Sequence, residues 1–380
     1  METEPNIVLT DEQQTAIDQA VDYFKGRHKL ATNESTYFSI GGYAGTGKTT
    51  LIKSLVAELK HREAVVGVCA YTGKAASVLQ RKGLHQATTI HRKIYSWDDS
   101  SQEFYLKPLN EFPYHVLIID EASMISLELF EDLCNYNVPI IAVGDPGQLP
   151  PISKNDMNLV ENPDVLLNRI HRQAEGNPII ELATAIRNQH LAFSFNTYDY
   201  GTTSLLRITD DAKDIGSMIA TSDVIICTRN ATRCDINDVK RKQLKRKTEL
   251  DPGEKIIFLQ NNPNLQVYNG QTATVLALLN RLSNEEIVVE LRFDDGSKRT
   301  LPITTRFISQ TKLDWNEIRH YRHIGIIDYA YALTCHKAQG SEWDSVGIIR
   351  EPISFSGWDQ PRWDYTAVTR ASKTLRIFAE

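Results

Sequence analysis

Apolar residues along this chain recur with two alternating periods. Tyr37–Ile40, Val65–Ala70, Val116–Ile119 and Val138–Val143 are short apolar-rich runs. Runs of that length predict parallel strands covered on both faces. Between them the spacing turns helical, as in Leu51, Ile52, Leu55, Val56 and Leu59, which share one face. Ala16, Ile17 and Ala20 repeat this after Thr10, a helix-capping residue with Gln13 three positions on as reciprocal partner. Two readings of Gln13 stay open: the cap, or contact with a nucleotide base. Fainter strand signals follow at Val224–Cys227, Ile256–Phe258, Ile326–Leu333, Val346–Ile349 and Leu375–Phe378. The rhythm predicts an α/β chain.

Two segments break that rhythm. Residues 95–105 are aromatic and acidic around Asp98-Asp99-Ser100-Ser101, which predicts a β-hairpin projecting from the first sheet. Residues 256–320 look β-rich, with turn signals at Asn269-Gly270 and Asp294-Asp295-Gly296. They predict a small barrel or sheet inserted in the second domain.

At 380 residues the chain suits about two to three domains. Its 41% hydrophobic and 24% charged residues exclude a disordered or fibrous chain. No apolar run is long enough to cross a bilayer and no basic, apolar leader opens the sequence, so a soluble, cytoplasmic protein without membrane contact is expected. Five scattered cysteines (Cys69, Cys134, Cys227, Cys234, Cys335) contain no C-x-x-C pair and predict buried thiols. The net charge of −6 argues against bulk electrostatic coating of nucleic acid. The basic run from Lys240 to Lys247 fits either a phosphate-contacting edge or a solvated helix face.

Chemistry enters at Gly42-Tyr43-Ala44-Gly45-Thr46-Gly47-Lys48-Thr49, which fits the phosphate-binding loop pattern between a strand and a helix. Gly42, Gly45 and Gly47 let the backbone, with Thr46 between the last two, wrap a polyphosphate, and the helix opening at Lys48 with Thr49 and Thr50 adds its dipole. Lys48 is expected on the β- and γ-phosphates and the Thr49 hydroxyl on Mg²⁺. Asp120-Glu121 ends an apolar strand, so Asp120 is expected to hold Mg²⁺ and Glu121 to orient and deprotonate the attacking water. Gly144 to Pro151, stiffened by glycines and prolines, would present Gln148 as a γ-phosphate sensor. Thr72-Gly73-Lys74 follows a strand, where α/β sheets hold ligands, although an ordinary strand-to-helix turn fits as well.

The order of these motifs resembles superfamily 1 helicases, specifically the RecD-like branch. Leu9 to Gln13 resembles the Q motif, Ala70 to Ala76 motif Ia, Asp120 to Met124 motif II and Gly144 to Pro151 motif III. Ile170 to Ala174 is similar to motif IV, Thr334 to Trp343 to motif V and Tyr365 to Ala371 to motif VI. The likeness runs through nearly the whole chain.

That resemblance implies two RecA-like P-loop motor domains, residues 1–170 and 171–380, with ATP and Mg²⁺ in the cleft between them. It implies a pin hairpin at about 92–112 and an SH3-like β insertion at about 256–320, opened by Gln266 to Gln271. Arg172 and Arg370 match the arginine fingers, and His171 the adenine-stacking position. Gly340 and Glu342 fall beside the nucleotide. The resemblance assigns Thr72, Lys74, Thr89, His91, Thr334 and His336 to a phosphate-tracking surface. Trp97, Phe104 or Tyr105 would stack on the last base pair, a core role being their other reading. Expected partners are single-stranded DNA and its junctions with duplex, and a single-strand-binding, replication or recombination protein, for a monomeric motor. No accessory domain precedes residue 9 and the insertion is short, departures that bear on processivity and not on the motor.

The implied activity is ATP-dependent DNA unwinding with 5′-to-3′ translocation. The nearest rival is an RNA or dual-specificity helicase, since phosphate-holding threonines and histidines do not exclude a 2′-OH. A nucleotide-gated binding module would not need Glu121, Gln148 and two arginines. A small-molecule kinase would leave the last two motifs unexplained.

Overall fold

The computed structural model describes residues 9–27, 37–98, 103–150, 158–170, 176–188, 197–200, 204–209, 212–262, 264–321, 323–351 and 359–379. They divide into two compact units, one of residues 1–71 and 75–175, the other of residues 72–74 and 176–380.

The first unit opens with helix α1 (Asp11–Arg27), strand β1 (Tyr37–Gly42), helix α2 (Lys48–His61), strand β2 (Val66–Ala70) and helix α3 (Gly73–Arg81). Strand β3 (Thr88–Thr89), helix α4 (Ile90–Ile94), then β4 (Tyr95–Asp98), β5 (Glu103–Leu106) and β6 (Val116–Asp120) follow. Helix α5 (Leu127–Cys134), β7 (Ile140–Gly144) and β8 (Val165–Leu167) complete it. Six strands form a parallel sheet in the order β3-β2-β6-β7-β1-β8. The apolar-rich runs are explained by two cores, one on each face. Val116, Ile118, Ile141 and Val143 join the α1–α2 side, while Leu117, Ile119, Ile140 and Ala142 join the α5 side. Leu51, Ile52, Leu55, Val56 and Leu59 of α2 are all buried, each stabilising by roughly 1.5–3 kcal/mol over exposure.

The second unit contains α6 (Pro178–Arg187), β9 (Thr197–Tyr200), β10 (Ser204–Thr209), α7 (Ala212–Thr221), β11 (Val224–Cys227) and α8 (Asn230–Gln243). Next come β12 (Lys255–Phe258), β13 (Thr272–Arg281), β14 (Glu286–Phe293), β15 (Lys298–Thr304), α9 (Trp315–Ile318) and β16 (Gly325–Tyr329). Then β17 (Ala332–Thr334), α10 (Cys335–Ala338), β18 (Trp343–Arg350), α11 (Gln360–Val368) and β19 (Ala371–Ala379) close the chain. Its sheet runs β17-β11-β18-β19-β10-β9, parallel except for the edge strand β9.

One strand reading needs correction. Ile256–Phe258 falls in the predicted inserted β segment, where β12 closes a five-stranded barrel with β13, β14, β15 and β16, the last lying past residue 320. Ile326–Leu333 is two strands and not one. The backbone N of Ala330 donates to Lys255 O in the barrel at 2.9 Å, while Tyr331 O accepts from Ile225 N in the parallel sheet at 2.8 Å. The chain thus changes sheets within two residues and without a turn residue, so the apolar pattern carries no mark of it. Alternate residues Ile287, Val289, Leu291 and Phe293 of β14 fill the barrel interior. The predicted turns are present, with Gly270 and Gly296 at φ of 81° and 84°.

The basic run is neither of its two expected forms throughout. Lys240 Nζ caps α7 by donating to Ile219 O and Ala220 O at 2.6 and 2.8 Å. Arg241 and Arg246 turn inward to Glu254, which is fully buried and also accepts from the Tyr331 hydroxyl at 2.7 Å. Lys242, Lys245 and Lys247 are exposed. Cys69, Cys227, Cys234 and Cys335 are buried free thiols, and Cys134 is partly buried. Burial pushes the Cys69 thiol up to about 12.

Candidate active site

Parallel strands β1, β7 and β6 lie side by side, Gly41 level with Gly144 and Ile119 with Ala142. Their carboxyl ends therefore deliver three loops to one edge of the sheet, where open α/β sheets bind ligands. After β1, Gly45 and Gly47 adopt φ of 81° and 78°, a left-handed region that a side chain would strain. The loop closes with Thr46 Oγ1 donating to Tyr43 O at 2.8 Å. Thr49 and Thr50 lie half-buried in the first turn of α2.

Gln13 meets this loop from α1. The capping pair is formed, with Thr10 N donating to Gln13 Oε1 at 3.0 Å and Gln13 N to Thr10 Oγ1 at 3.2 Å. The same amide donates through Nε2 to Thr46 O at 3.0 Å and is 1% exposed. Both ends of the Gln13 amide are thus engaged, one by the helix start and one by the phosphate loop.

Lys48 Nζ donates to Gly42 O at 2.6 Å and Tyr43 O at 3.2 Å, and lies 3.8 Å from Asp145 Oδ2. Asp145 is a residue that the sequence reading passed over. It follows β7 directly, is 1% exposed, and accepts from Gly147 N at 2.9 Å. Its position at a strand end beside Gln148 was the available signal.

At the end of β6, Asp120 is half-buried and accepts from Glu121 N at 3.0 Å. Burial, and then the neighbouring Glu121 carboxylate, raise its carboxyl to about 7 against the opposing pull of Lys48. Glu121 sits at φ 55°, ψ 40°, a sparsely populated region for a non-glycine residue. Its Oε2 and the Gln148 Oε1 are buried without a hydrogen-bond partner. Such orphaned acceptors call for a donor or cation from a ligand. A hydroxyl (Thr49), a carboxylate (Asp120) and two unpartnered oxygens are hard oxygen donors that fit a Mg²⁺–triphosphate with its attacking water.

In the second unit Arg370 is buried, with Nε donating to Thr366 O at 3.0 Å, Nη1 to Ser341 O at 3.1 Å and Nη2 to Thr369 Oγ1 at 3.0 Å. Gly340 is buried and Glu342 exposed. Thr334 ends β17 beside Cys227 of β11, and His336 follows in α10. His171 and Arg172 lie outside the described residues.

Of the remaining expected nucleic-acid residues, Thr72 precedes α3 and Lys74 is buried in its first turn. Thr89 caps α4, accepting from Arg92 N at 3.3 Å, and His91 lies in the first turn of that helix. Burial lowers the basicity of both His91 and His336. β4 and β5 form an antiparallel ribbon in which Phe104 and Tyr105 are 43% and 50% exposed, so neither is a core residue. Trp97 lies on β4, its side chain outside the described set.

The AAA domain family matches residues 9–204, and the UvrD-like helicase C-terminal domain matches residues 329–378. An ATP-dependent RecD2 DNA helicase of Deinococcus radiodurans is 26% identical, the alignment covering 96% of this chain and 48% of that protein. A RecBCD enzyme subunit RecD of Mycolicibacterium smegmatis is 26% identical over 92% of this chain and 69% of its own length. The ATP-dependent DNA helicase dda of Enterobacteria phage T4 is 30% identical over 42% of this chain and 40% of its own. This chain thus spans about half the length of the Deinococcus relative. Among solved structures, Bacteroides Pif1 bound to ssDNA has a TM-score of 0.58 at 20% identity, covering 98% of this chain and 92% of that one. Pif1 helicase from Candida albicans has a TM-score of 0.56 at 17% identity, covering 99% and 95%. These two likenesses speak to the fold. The first family match spans slightly more than half of the chain and takes in the phosphate loop, Asp120-Glu121 and the Gln148 loop: the chain belongs to the AAA-domain family, in the RecD-like branch of the superfamily 1 helicases.

Proposed function

We propose that this chain is an ATP-driven DNA helicase that moves 5′ to 3′ on single-stranded DNA and separates duplex. The observation that carries the reading is the pair of buried, unpartnered oxygens on Glu121 and Gln148, at the same sheet edge as Lys48 and Asp120. Hydrolysis needs a base for water and a contact that registers the terminal phosphate; a passive binding module needs neither. In this reading Lys48 leaves its loop carbonyls for the β- and γ-phosphates, and Glu121 takes the proton of the attacking water. Thr49 and Asp120 would hold Mg²⁺, which supplies charge neutralisation at the phosphates when bound. Arg172 and Arg370 would meet the charge that develops as the bond breaks.

The threonine and histidine donors Thr72, Thr89, Thr334, His91 and His336, with Lys74, suit a backbone grip that ignores base sequence. The ribbon of β4 and β5 would serve as the strand-splitting pin, and the closed barrel as the SH3-like module that steadies the strand. Direction of travel rests on the RecD-like likeness.

The test is ATP turnover with and without single-stranded DNA, followed by strand displacement on duplexes bearing a 5′ or a 3′ tail. Turnover stimulated by DNA and displacement from the 5′ tail alone are expected. Stimulation by RNA over DNA would move the substrate, displacement from the 3′ tail would reverse the direction, and unstimulated turnover would remove the motor.

A further inference from the structure

Arg370 is 6% exposed, yet among the described residues its guanidinium is held by neutral acceptors alone. It donates to Thr366 O at 3.0 Å, Ser341 O at 3.1 Å and Thr369 Oγ1 at 3.0 Å. A guanidinium carries five N–H groups, so one on each terminal nitrogen is left over. A buried cation with no carboxylate beside it is costly until an anion arrives, which suits a group that meets a triphosphate.

The three acceptors are not alike. Thr366 O and Ser341 O are main-chain atoms placed by the fold, Thr366 within α11 and Ser341 in the turn after α10. That turn is fixed by Ser341 N donating to Ala338 O at 3.1 Å, and tied to Arg370 a second time by Trp343 N donating to Arg370 O at 2.9 Å. Thr369 Oγ1 is the one side chain of the set. Its own proton goes to Thr366 O at 3.0 Å, which turns a lone pair toward Arg370 Nη2. Thr366 O thus receives both the Thr369 hydroxyl and Arg370 Nε, closing a ring of hydrogen bonds at the end of α11. Two fixed points leave a planar fork free to tilt; the third sets its plane. Threonine suits the task because its branched Cβ restricts the rotation of the hydroxyl-bearing bond.

We propose that Thr369 is a positioning residue, whose hydroxyl sets the plane of the Arg370 guanidinium so that its two remaining N–H groups are aimed before the terminal phosphate bond breaks. A donor fixed in advance stabilises the developing charge with no reorganisation at the moment of reaction. This rests on the preceding reading of Arg370 as the group that meets that charge, and adds what holds it ready.

Thr369→Val keeps the shape of the side chain and removes the hydroxyl. In ATP turnover with single-stranded DNA, its kcat should fall about 10- to 10²-fold, as for a reacting group displaced by about 1 Å. Its affinity for a fluorescent ATP analogue should stay within about twofold of wild type, because the loss lies in the transition state. Thr369→Ser restores the hydroxyl and should bring kcat back to within about threefold, its side chain being somewhat freer. Thr369→Ala makes the same test if the valine variant does not fold. In an Arg370→Ala background Thr369→Val should add no further loss, because the group it positions is gone. Wild-type kcat in Thr369→Val, equal losses of affinity and kcat, a serine variant as slow as the valine one, or a full further loss in the Arg370→Ala background would each overturn the positioning role. Arg370→Ala with wild-type turnover would remove the reading of Arg370 itself, whereas a slow Arg370→Ala beside a fast Thr369→Val would remove the part of Thr369 alone.

Discussion

Burial decides which side chains of the proposed strand grip carry charge. Desolvation holds His91 and His336 below the ordinary histidine range, so near neutral pH each offers a ring N–H and no cation. Only charged contacts release counterions. Lys74→Ala should therefore flatten the slope of log affinity against log salt by about one, while His336→Ala weakens binding with the slope kept. Fluorescence anisotropy of labelled single-stranded DNA at several salt concentrations checks this, and an equal change of slope in both would show that His336 binds as a cation. Beside His336, Lys337 donates to Asn269 Oδ1 at 2.7 Å, and burial, then Arg233, press its ammonium down to about 8 against the pull of Asp328. An unfolded lysine titrates near 10.4, so between about pH 8 and 10.4 the unfolded chain binds more protons and stability rises with pH. Below that window the folded chain carries the cost of a half-buried, partly desolvated ammonium. Lys337→Met should melt higher than wild type at pH 7, with the gap narrowing toward pH 10; a gap constant with pH would show Lys337 to be solvated. Local pattern marked Lys48, Asp120 and Gln148 as candidates, because glycine turns and strand-end acids are short-range signals. It hid the approach of Asp145 to Lys48, which depends on β7 lying beside β1, and that neighbourhood is set by strand order.

The ribbon of β4 and β5 shows what an element adds beyond its own residues. Its two strands were readable, and so was its aromatic content, while residues 99–102 of the expected turn lie outside the described residues. Its anchorage was not, because the anchors lie elsewhere in the chain. The Tyr136 hydroxyl is within hydrogen-bonding range of Ile94 O and Lys107 O, at 2.8 and 2.9 Å, and its ring stacks on Phe112 at 3.8 Å. The Tyr95 hydroxyl bonds Asp132 of α5, and Lys107 N donates to Ile94 O at 2.8 Å. The root is thus pinned to the first unit while Phe104 and Tyr105 stay exposed, as a wedge needs. Tyr136→Phe should cost about 1–3 kcal/mol of stability by orphaning a carbonyl. It should also lower strand displacement per ATP consumed, while single-stranded DNA still stimulates turnover. Displacement per ATP equal to wild type would show that the root needs no such tie. The basic run makes a related point: composition marked it, but only the fold shows that Lys240, Arg241 and Arg246 serve as internal ties.

Across the whole molecule, the strand-and-helix rhythm was legible because apolar runs mark strands buried on both faces. Allocation of β16 to the barrel was not, since it has the same apolar look as the strands of the parallel sheet. The passage from β16 to β17 has a practical consequence for rebuilding this chain. Lys255 and Ala330, at the entrance and exit of the barrel, are joined by a backbone hydrogen bond of 2.9 Å, so the module is spliced in through a single narrow joint. A tight loop there would close the gap left by its removal. Yet Asp328 departs with the excised piece, and its ion-pair partner Arg233, 7% exposed on α8, stays behind. Gln310, whose carbonyl accepts from Arg233 Nη2 at 2.7 Å, leaves with Asp328, so excision strips the guanidinium of both these partners at once and a trimmed version of this chain would present Arg233 on a newly opened face of α8.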